Sequence, residues 1–555
     1  MSRPQYDAIV IGGGHNGLVC AFYLAQAGLR VSVLERRSIV GGAAVTESFA
    51  PGFRNSTASY TVSLLHPKVI ADMSLAAHGL RIVRRKLQNF LPLNERDYLA
   101  VGGGRTKSEV AKYSTRDAER LDDFTMRLSA LADVVRETLL LTPPKLAETG
   151  WRDSLADLFK ASGLARRFAR LSTEARRDLL ALFGRSAGDL LDGWFESDPI
   201  KAAFGFDAIV GNYASPYGPN TGYVLLHHAI GEVNGEKGVW GHAIGGMGAI
   251  ADAMAAACHG AGVEIRTDAE VREVIVEKGR AAGVITKTGE TFRSLAVVSN
   301  LNPKLLFDRL VDPALLSTDF RARMRDYRCA SGTFRMNVAL AGLPRFSCLP
   351  EPGDHLTAGI VIAPSLAYMD RAYAEARAEG WSREPIVEML IPSVVDDTLA
   401  PAGKHVASLF CQHASPELPG GASWDNHKEE VADLMIDTVE RYAPGFKSSV
   451  IARSSMSPLD LERTFGLVGG DIMHGALAID QLFEARPVLG NGDYRSPVPS
   501  LYMCGAGTHP GGGVSGLPGH NAAREVVSDW RGRRTVSGRS LRSRRALLGV
   551  GAHQG

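Results

Sequence analysis

At 555 residues the chain exceeds what a single hydrophobic core organises, so two or three connected domains are expected. Apolar content of 45%, charged content of 22% and a net charge of +2 are those of an ordinary globular protein, and the charge points to no particular partner. No run of 18 apolar residues occurs, which argues against a spanning helix. The six cysteines (20, 258, 329, 348, 411, 504) are scattered without metal-ligand or CxxC spacing, which argues against a disulfide framework or a metal site.

In chain order, Asp7 to Ile11 reads as a buried strand, Gly12-Gly13-Gly14-His15-Asn16-Gly17 as a turn, and Leu18 to about Gly28 as a helix. Arg30 to Leu34 then forms a second strand ending in Glu35. Glycine is needed at 12 for the tight turn, at 14 for close approach to a pyrophosphate and at 17 for helix–strand packing. The helix N-terminus offers free N–H groups to phosphates, and Glu35 is placed to accept from ribose hydroxyls. Set between two apolar strands, this fingerprint predicts adenine dinucleotide binding.

From Asp117 to about Asp198 the spacing of Leu121, Phe124, Leu128, Leu131 and Val135 predicts a helical insertion. A helix is expected over 248–261, with strands at 263–265, 271–276, 283–285 and 292–298. Further strands at 334–340, 360–362, 387–391 and 407–411 suit a substrate-domain sheet, and 427–442 an amphipathic helix. A last strand over 500–504 runs into a glycine-rich turn at 505–516 and a helix from 517 to about 530. Residues 1–65, 245–300 and 490–530 are thus read as a discontinuous nucleotide domain. Residues 66–244 and 301–489 are read as an interleaved α+β substrate domain. Arg531 to Arg545 holds seven arginines in fifteen residues, and 531–555 is expected to be a disordered basic tail.

The turn at 505–516 lets backbone approach a large planar ligand. A helix starting near Val514 would aim N–H groups at the pyrimidine end of a flavin. A nicotinamide enzyme has no use for such a distant second segment, so the pairing favours FAD.

The chain resembles the phytoene-desaturase-like flavoproteins of the amine-oxidase superfamily, most closely the branch named pyridine nucleotide-disulfide oxidoreductase domain-containing protein 2. The stretches that carry the likeness are 12–47, PGFRNSTASYTVSLL (51–65), TGYVLLHHAIGE (221–232), GGMGAIADAMA (245–255), GGDIMHGALAIDQLFEARP (469–487) and 501–523. The resemblance implies an α/β, Rossmann-like FAD-binding fold of that type and non-covalent FAD. It implies contacts from Gly12, Gly14, His15, Asn16, Gly17, Glu35, Arg36, Gly41, Gly42, Ala43, Val271, Gly505, Gly512, Gly513 and Val514. It also implies hydride transfer from a mostly apolar or amphipathic substrate to flavin N5.

The branch's name suggests disulfide chemistry, and the sequence contradicts it. No cysteine occurs between residues 36 and 100, where a flavin disulfide reductase needs its redox pair. The turn at Gly246-Met247-Gly248 is read as a packing element rather than a second dinucleotide site, leaving oxygen, a quinone or another carrier as electron acceptor. Candidate acid–base residues are His474, His242, His228 and Arg486. Of the adjacent pair His227 and His228, at most one can face a site. His15 and His509 are read as cofactor-shell residues. An amine-oxidase-type flavoprotein is the second enzyme reading, with Tyr494 and Tyr502 as its candidate aromatic pair, and a flavin-binding scaffold with little turnover is the third. A cytoplasmic location is expected, with peripheral membrane contact and homo-oligomerisation left open and no nucleic-acid partner.

Overall fold

Every strand of the first βαβ unit is an apolar run buried on both faces, and such runs build a parallel core sheet. In the computed structural model, which describes residues 4–145, 162–163, 166 and 168–548, five parallel strands form that sheet. Their order is Glu264–Arg266, Val31–Leu34, Tyr6–Ile11, Thr291–Ser299 and Leu501–Met503. The N-terminal half of Thr291–Ser299 also pairs antiparallel with Arg280–Thr286, which pairs with Val271–Glu277. Helices His15–Gln26, Gly248–Gly260 and Leu517–Leu548 complete the layer on the sheet. The sheet is therefore assembled from three distant stretches of chain.

A second, seven-stranded sheet carries the other half of the molecule. Its order is Val450–Met456, Thr333–Leu340, His405–Ala414, Trp381–Leu390, Gly359–Ile362, Asn89–Pro92 and Tyr98–Val101. Alternation within a strand divides its two faces. Leu409 and Cys411 pack under the helix Trp424–Tyr442, while Phe410 faces the helical block. In that block Ser114 caps Thr115–Arg136 by accepting from the Asp117 N–H. The helix buries Leu121, Phe124, Leu131 and Val135, with Leu128 partly covered. Helices continue past the expected end at 198, through Asp198–Asp207 and Thr221–Ala229.

Packing moves the domain boundaries. Val69, Met73, Leu75 and Leu80 share a core with Val10 and Leu18, and Leu306, Phe307, Phe320 and Met324 share one with Ile9 and Val297. Residues 66–80 and 303–327 therefore belong with the nucleotide sheet, where the sequence reading assigned them to the substrate domain. The basic stretch expected as a disordered tail from 531 lies on the backbone of helix Leu517–Leu548, and 549–555 fall outside the described residues. Among the described residues no helix is long and apolar enough to cross a membrane.

Candidate active site

Strand Tyr6–Ile11 ends at the carboxyl edge of the parallel sheet, where open α/β sheets bind ligands. A cleft opens there. Gly12, Gly14, His15, Asn16, Glu35, Arg36, Gly41, Gly42, Ala43, Val271 and His474 all line it. Gly14 is the N-cap of helix His15–Gln26, whose first turn has neither a side-chain cap nor an acidic residue, so its N–H groups are left for an anion. A Cβ on Gly14 would come to 2.7 Å from Asn300 Nδ2, and one on Gly17 to 2.2 Å from the Gly12 carbonyl oxygen. The first glycine keeps the cradle open. The second is a packing requirement, and Gly17 does not line the cleft.

Glu35 is buried, with one carboxylate oxygen accepting from Gly13 N–H at 2.7 Å and the other from Arg37 N–H at 2.9 Å. Each oxygen keeps lone-pair capacity for a ribose hydroxyl. Three buried polar atoms on this cleft have no hydrogen-bond partner: Asn16 Oδ1, Arg37 Nη1 and His474 Nδ1. Buried polar groups are almost always paired, so three such orphans lining one cleft are the mark of a polar ligand. The residues fit a dinucleotide.

The far wall was not visible in the sequence. Asn300, Leu301, Asn302, Leu305 and Arg309 follow strand Thr291–Ser299, and Thr464, Phe465, Gly466 and Leu467 close the other side. Arg36 ties this wall to the fingerprint, donating from Nη2 to the Thr464 carbonyl at 2.5 Å. Arg37 lies over the Phe465 ring at 5.1 Å.

The glycine-rich turn departs from expectation. Of its residues only Ala506 reaches the cleft. Gly505 backs against the Asn300 carbonyl, Gly513 packs against Leu64, and Val514 is partly buried against the first core. Gly512 lines a second cavity on the other side of the turn. The helix begins at Leu517, not near Val514.

His474 is the one acid–base candidate that the fold delivers to the cleft. Its backbone is held in a left-handed conformation at φ 57° by several contacts. Asp471 accepts from the N–H groups of Met473 and Gly475, both at 2.8 Å, and Tyr327 Oη donates to the His474 carbonyl at 2.7 Å. Burial, reinforced by the nearby Arg486 charge, pulls its imidazole pKa down to about 4, so it is neutral. Burial and His474 pull His15 down to about 3.

The other candidates sit elsewhere. Arg486 is fully buried and donates to the carbonyls of Met473, Gly475, Ala476, Gln481 and Ala506. It is a positioning residue that fastens the His474 loop to the turn at 506. His242 Nε2 pairs with Asp396 Oδ2 at 2.8 Å away from the cleft. His228 Nδ1 donates to the Val224 carbonyl at 2.9 Å and stacks on Trp240. Of the adjacent histidines it is His227, not His228, that faces a cavity. His509 meets the Thr138 carbonyl and does not line the cleft. Tyr494 and Tyr502 are core residues whose hydroxyls donate to the His509 carbonyl and to Asp529, so they flank no cofactor face. At the turn before helix Gly248–Gly260, Ser56 Oγ accepts from Met247 N–H and Thr46 Oγ1 from Gly248 N–H. Those amides are spent on protein, and the preceding strand Gly241–Ala243 pairs antiparallel with Ile82–Arg84 and bridges to Val62, outside the parallel sheet. This is a packing turn, not a second dinucleotide site. No metal-ligand cluster occurs among the described residues.

A model of the family described as flavin containing amine oxidoreductase matches residues 17–333. A Rattus norvegicus protein named pyridine nucleotide-disulfide oxidoreductase domain-containing protein 2 is 39% identical over 547 residues, covering 95% of this chain and 94% of the relative. A phytoene desaturase (lycopene-forming) from Pseudescherichia vulneris is 24% identical over 92% of this chain and 96% of its own. The fold is that of a solved oxidoreductase from Methanosarcina mazei, with a TM-score of 0.58, 17% identity, and coverage of 94% of this chain and 99% of that one.

Proposed function

The chain belongs to the flavin containing amine oxidoreductase family, and from that premise we propose that it holds FAD non-covalently in the cleft and oxidises a mostly apolar organic substrate. One observation carries the reading: fingerprint residues from the two ends and the middle of the chain line one cleft in which three buried polar atoms lack partners. Glu35 would hold the ribose hydroxyls. The N–H groups of His15 and Asn16 would hold the pyrophosphate, and His474, close enough to His15 to act on it, would offer a neutral imidazole to the cofactor. The described lining contains no cysteine, which suits a cofactor held by hydrogen bonds alone.

Bound FAD supplies a two-electron acceptor for a hydride leaving carbon. The chain's contribution is to orient and to exclude water. Among the described residues no carboxylate besides Glu35 and the Lys287-paired Glu270 lines the cleft, and a histidine with a pKa near 4 is a weak base, so proton removal is not where this site is built for power. Chemistry at carbon without a strong protein base suits dehydrogenation of an apolar substrate better than disulfide exchange. All six cysteines are free, and none lines the cleft. Oxygen, a quinone or another carrier then serves as electron acceptor, because the only other glycine turn of dinucleotide type has spent its amides.

The test is anaerobic mixing of the flavin-loaded protein with polyenes, acyl compounds and amines while the flavin absorption is followed. Bleaching by a polyene or acyl compound is expected. Bleaching by amines alone would move the assignment to amine oxidation, and rapid bleaching by NADH would restore a nicotinamide role.

A further inference from the structure

The turn at 505–516 also faces a second cavity: Ala506 lines the dinucleotide cleft, and Pro510, Gly512 and Ser515 line the cavity. Its walls are mostly apolar, with Leu64, Leu65, Leu139, Ile230 and Leu517 among them. Helix Thr221–Ala229 roofs it. Residues four apart share a helix face, so Tyr223 and His227 both look into the cavity while His228 turns toward Trp240.

His227 is only 5% exposed, and neither ring nitrogen has a hydrogen-bond partner among the described residues; Nδ1 is an outright buried orphan. The Tyr223 hydroxyl makes no hydrogen bond among the described residues either. Burial, with smaller contributions from His228 and Arg486, pulls the His227 pKa down to about 3, so the ring is neutral and offers one donor and one acceptor. The cation on the wall is already committed. Arg136 donates to the carbonyls of Ile230 and Ala229 and pairs with Asp133. Glu232 is half-exposed at the wall. Two adjacent unpaired neutral groups in an apolar enclosure call for a ligand that is itself neutral, since an ion would lose its hydration there without a counter-charge.

We infer that this cavity holds the oxidisable substrate, and that the substrate is an apolar molecule bearing one uncharged oxygen function, a hydroxyl or a carbonyl, hydrogen-bonded to His227 and Tyr223. The inference rests on the reading of the protein as a flavin enzyme for apolar substrates, and it adds the substrate's polar group and the residues that select it.

The probes are 1-octanol, octanoate and octylamine at pH 7.5, titrated calorimetrically into the full-length flavin-loaded protein with the visible flavin spectrum recorded in parallel. We expect 1-octanol to bind at least tenfold more tightly than either ion and to shift the flavin spectrum, and His227→Phe to weaken it at least fivefold. Retained flavin absorption reports that the variant has folded; should it not fold, Tyr223→Phe carries the same expectation. Equal or tighter binding of octanoate or octylamine overturns the neutral-ligand assignment. Unchanged octanol affinity in both variants overturns the role of the helix face, and binding that leaves the flavin spectrum untouched overturns the substrate assignment. A preparation without flavin counts against the cofactor reading alone, because the calorimetry still reports on the cavity.

Discussion

Arg486→Met is expected to lose most of its flavin and about 3 kcal/mol or more of stability, read as flavin content after purification and as a lowered urea midpoint. The guanidinium is completely buried and serves five carbonyls from three stretches of chain, 473–476, 481 and 506. Removing it strands those oxygens in the interior, each at the desolvation cost of an unpaired polar group. The same bonds hold His474 in the wall of the cleft, so destabilisation and flavin loss should appear together. Arg486→Lys keeps the charge but not the planar fork, and it should recover only part of both losses. A Met variant with wild-type flavin content and midpoint would show that Asp471 and Tyr327 hold the loop unaided.

Acid should destabilise the protein through its buried histidines, opposed in part by Asp207 and Asp471, whose carboxyls burial raises to about 7 and about 6. Burial is the first cause of lowered pKa values at His15, His227 and His413, each about 3, and at His228, His474 and His509, each about 4. In the unfolded chain these groups titrate near 6.5. Their folded values lie below that, so the unfolded state binds more protons and stability falls as pH falls. The contribution is complete above 6.5 and is lost progressively from there down to the folded values of 3 to 4. Each histidine adds a slope of up to about 1.4 kcal/mol per pH unit, and six acting together make the decline steep. The urea midpoint should drop sharply between pH 7 and pH 5. A flat midpoint over that interval would mean that these rings are hydrated or protonated in the folded protein.

How much of this was legible in the sequence depended on how local each feature is. The fingerprint from Gly12 to Glu35 is written in one short βαβ unit, where strand burial, turn glycines and the terminal carboxylate sit at fixed spacings, so it was readable residue by residue. Leu121 to Val135 revealed its buried face through helical spacing alone. The cleft's opposite wall was hidden, because Asn300–Leu305 and Thr464–Leu467 meet only through tertiary packing and carry no periodic signal. Asn300 had one available clue, its place just beyond the carboxyl end of a parallel strand. The domain edges were misplaced for a similar reason: nothing local tells that Val69 and Phe320 bury against the nucleotide sheet. The glycines at 505–513 were read as flavin contacts because glycine marks close approach without naming what approaches. A Cβ on Gly505 or Gly513 would meet Asn300 or Leu64, so close protein packing alone already calls for glycine there. Orientation of the paired histidines was within reach, since Tyr223 and His227 are four residues apart on a helix whose apolar character was visible.

The most direct measurement is to purify the full-length protein, record its visible spectrum, precipitate it with acid and identify what is released by chromatography. FAD, close to one per chain and entirely in the supernatant, is the predicted result. Release of FMN, flavin retained in the precipitate, or a colourless protein that fails to take up added FAD would contradict the assignment of the cleft.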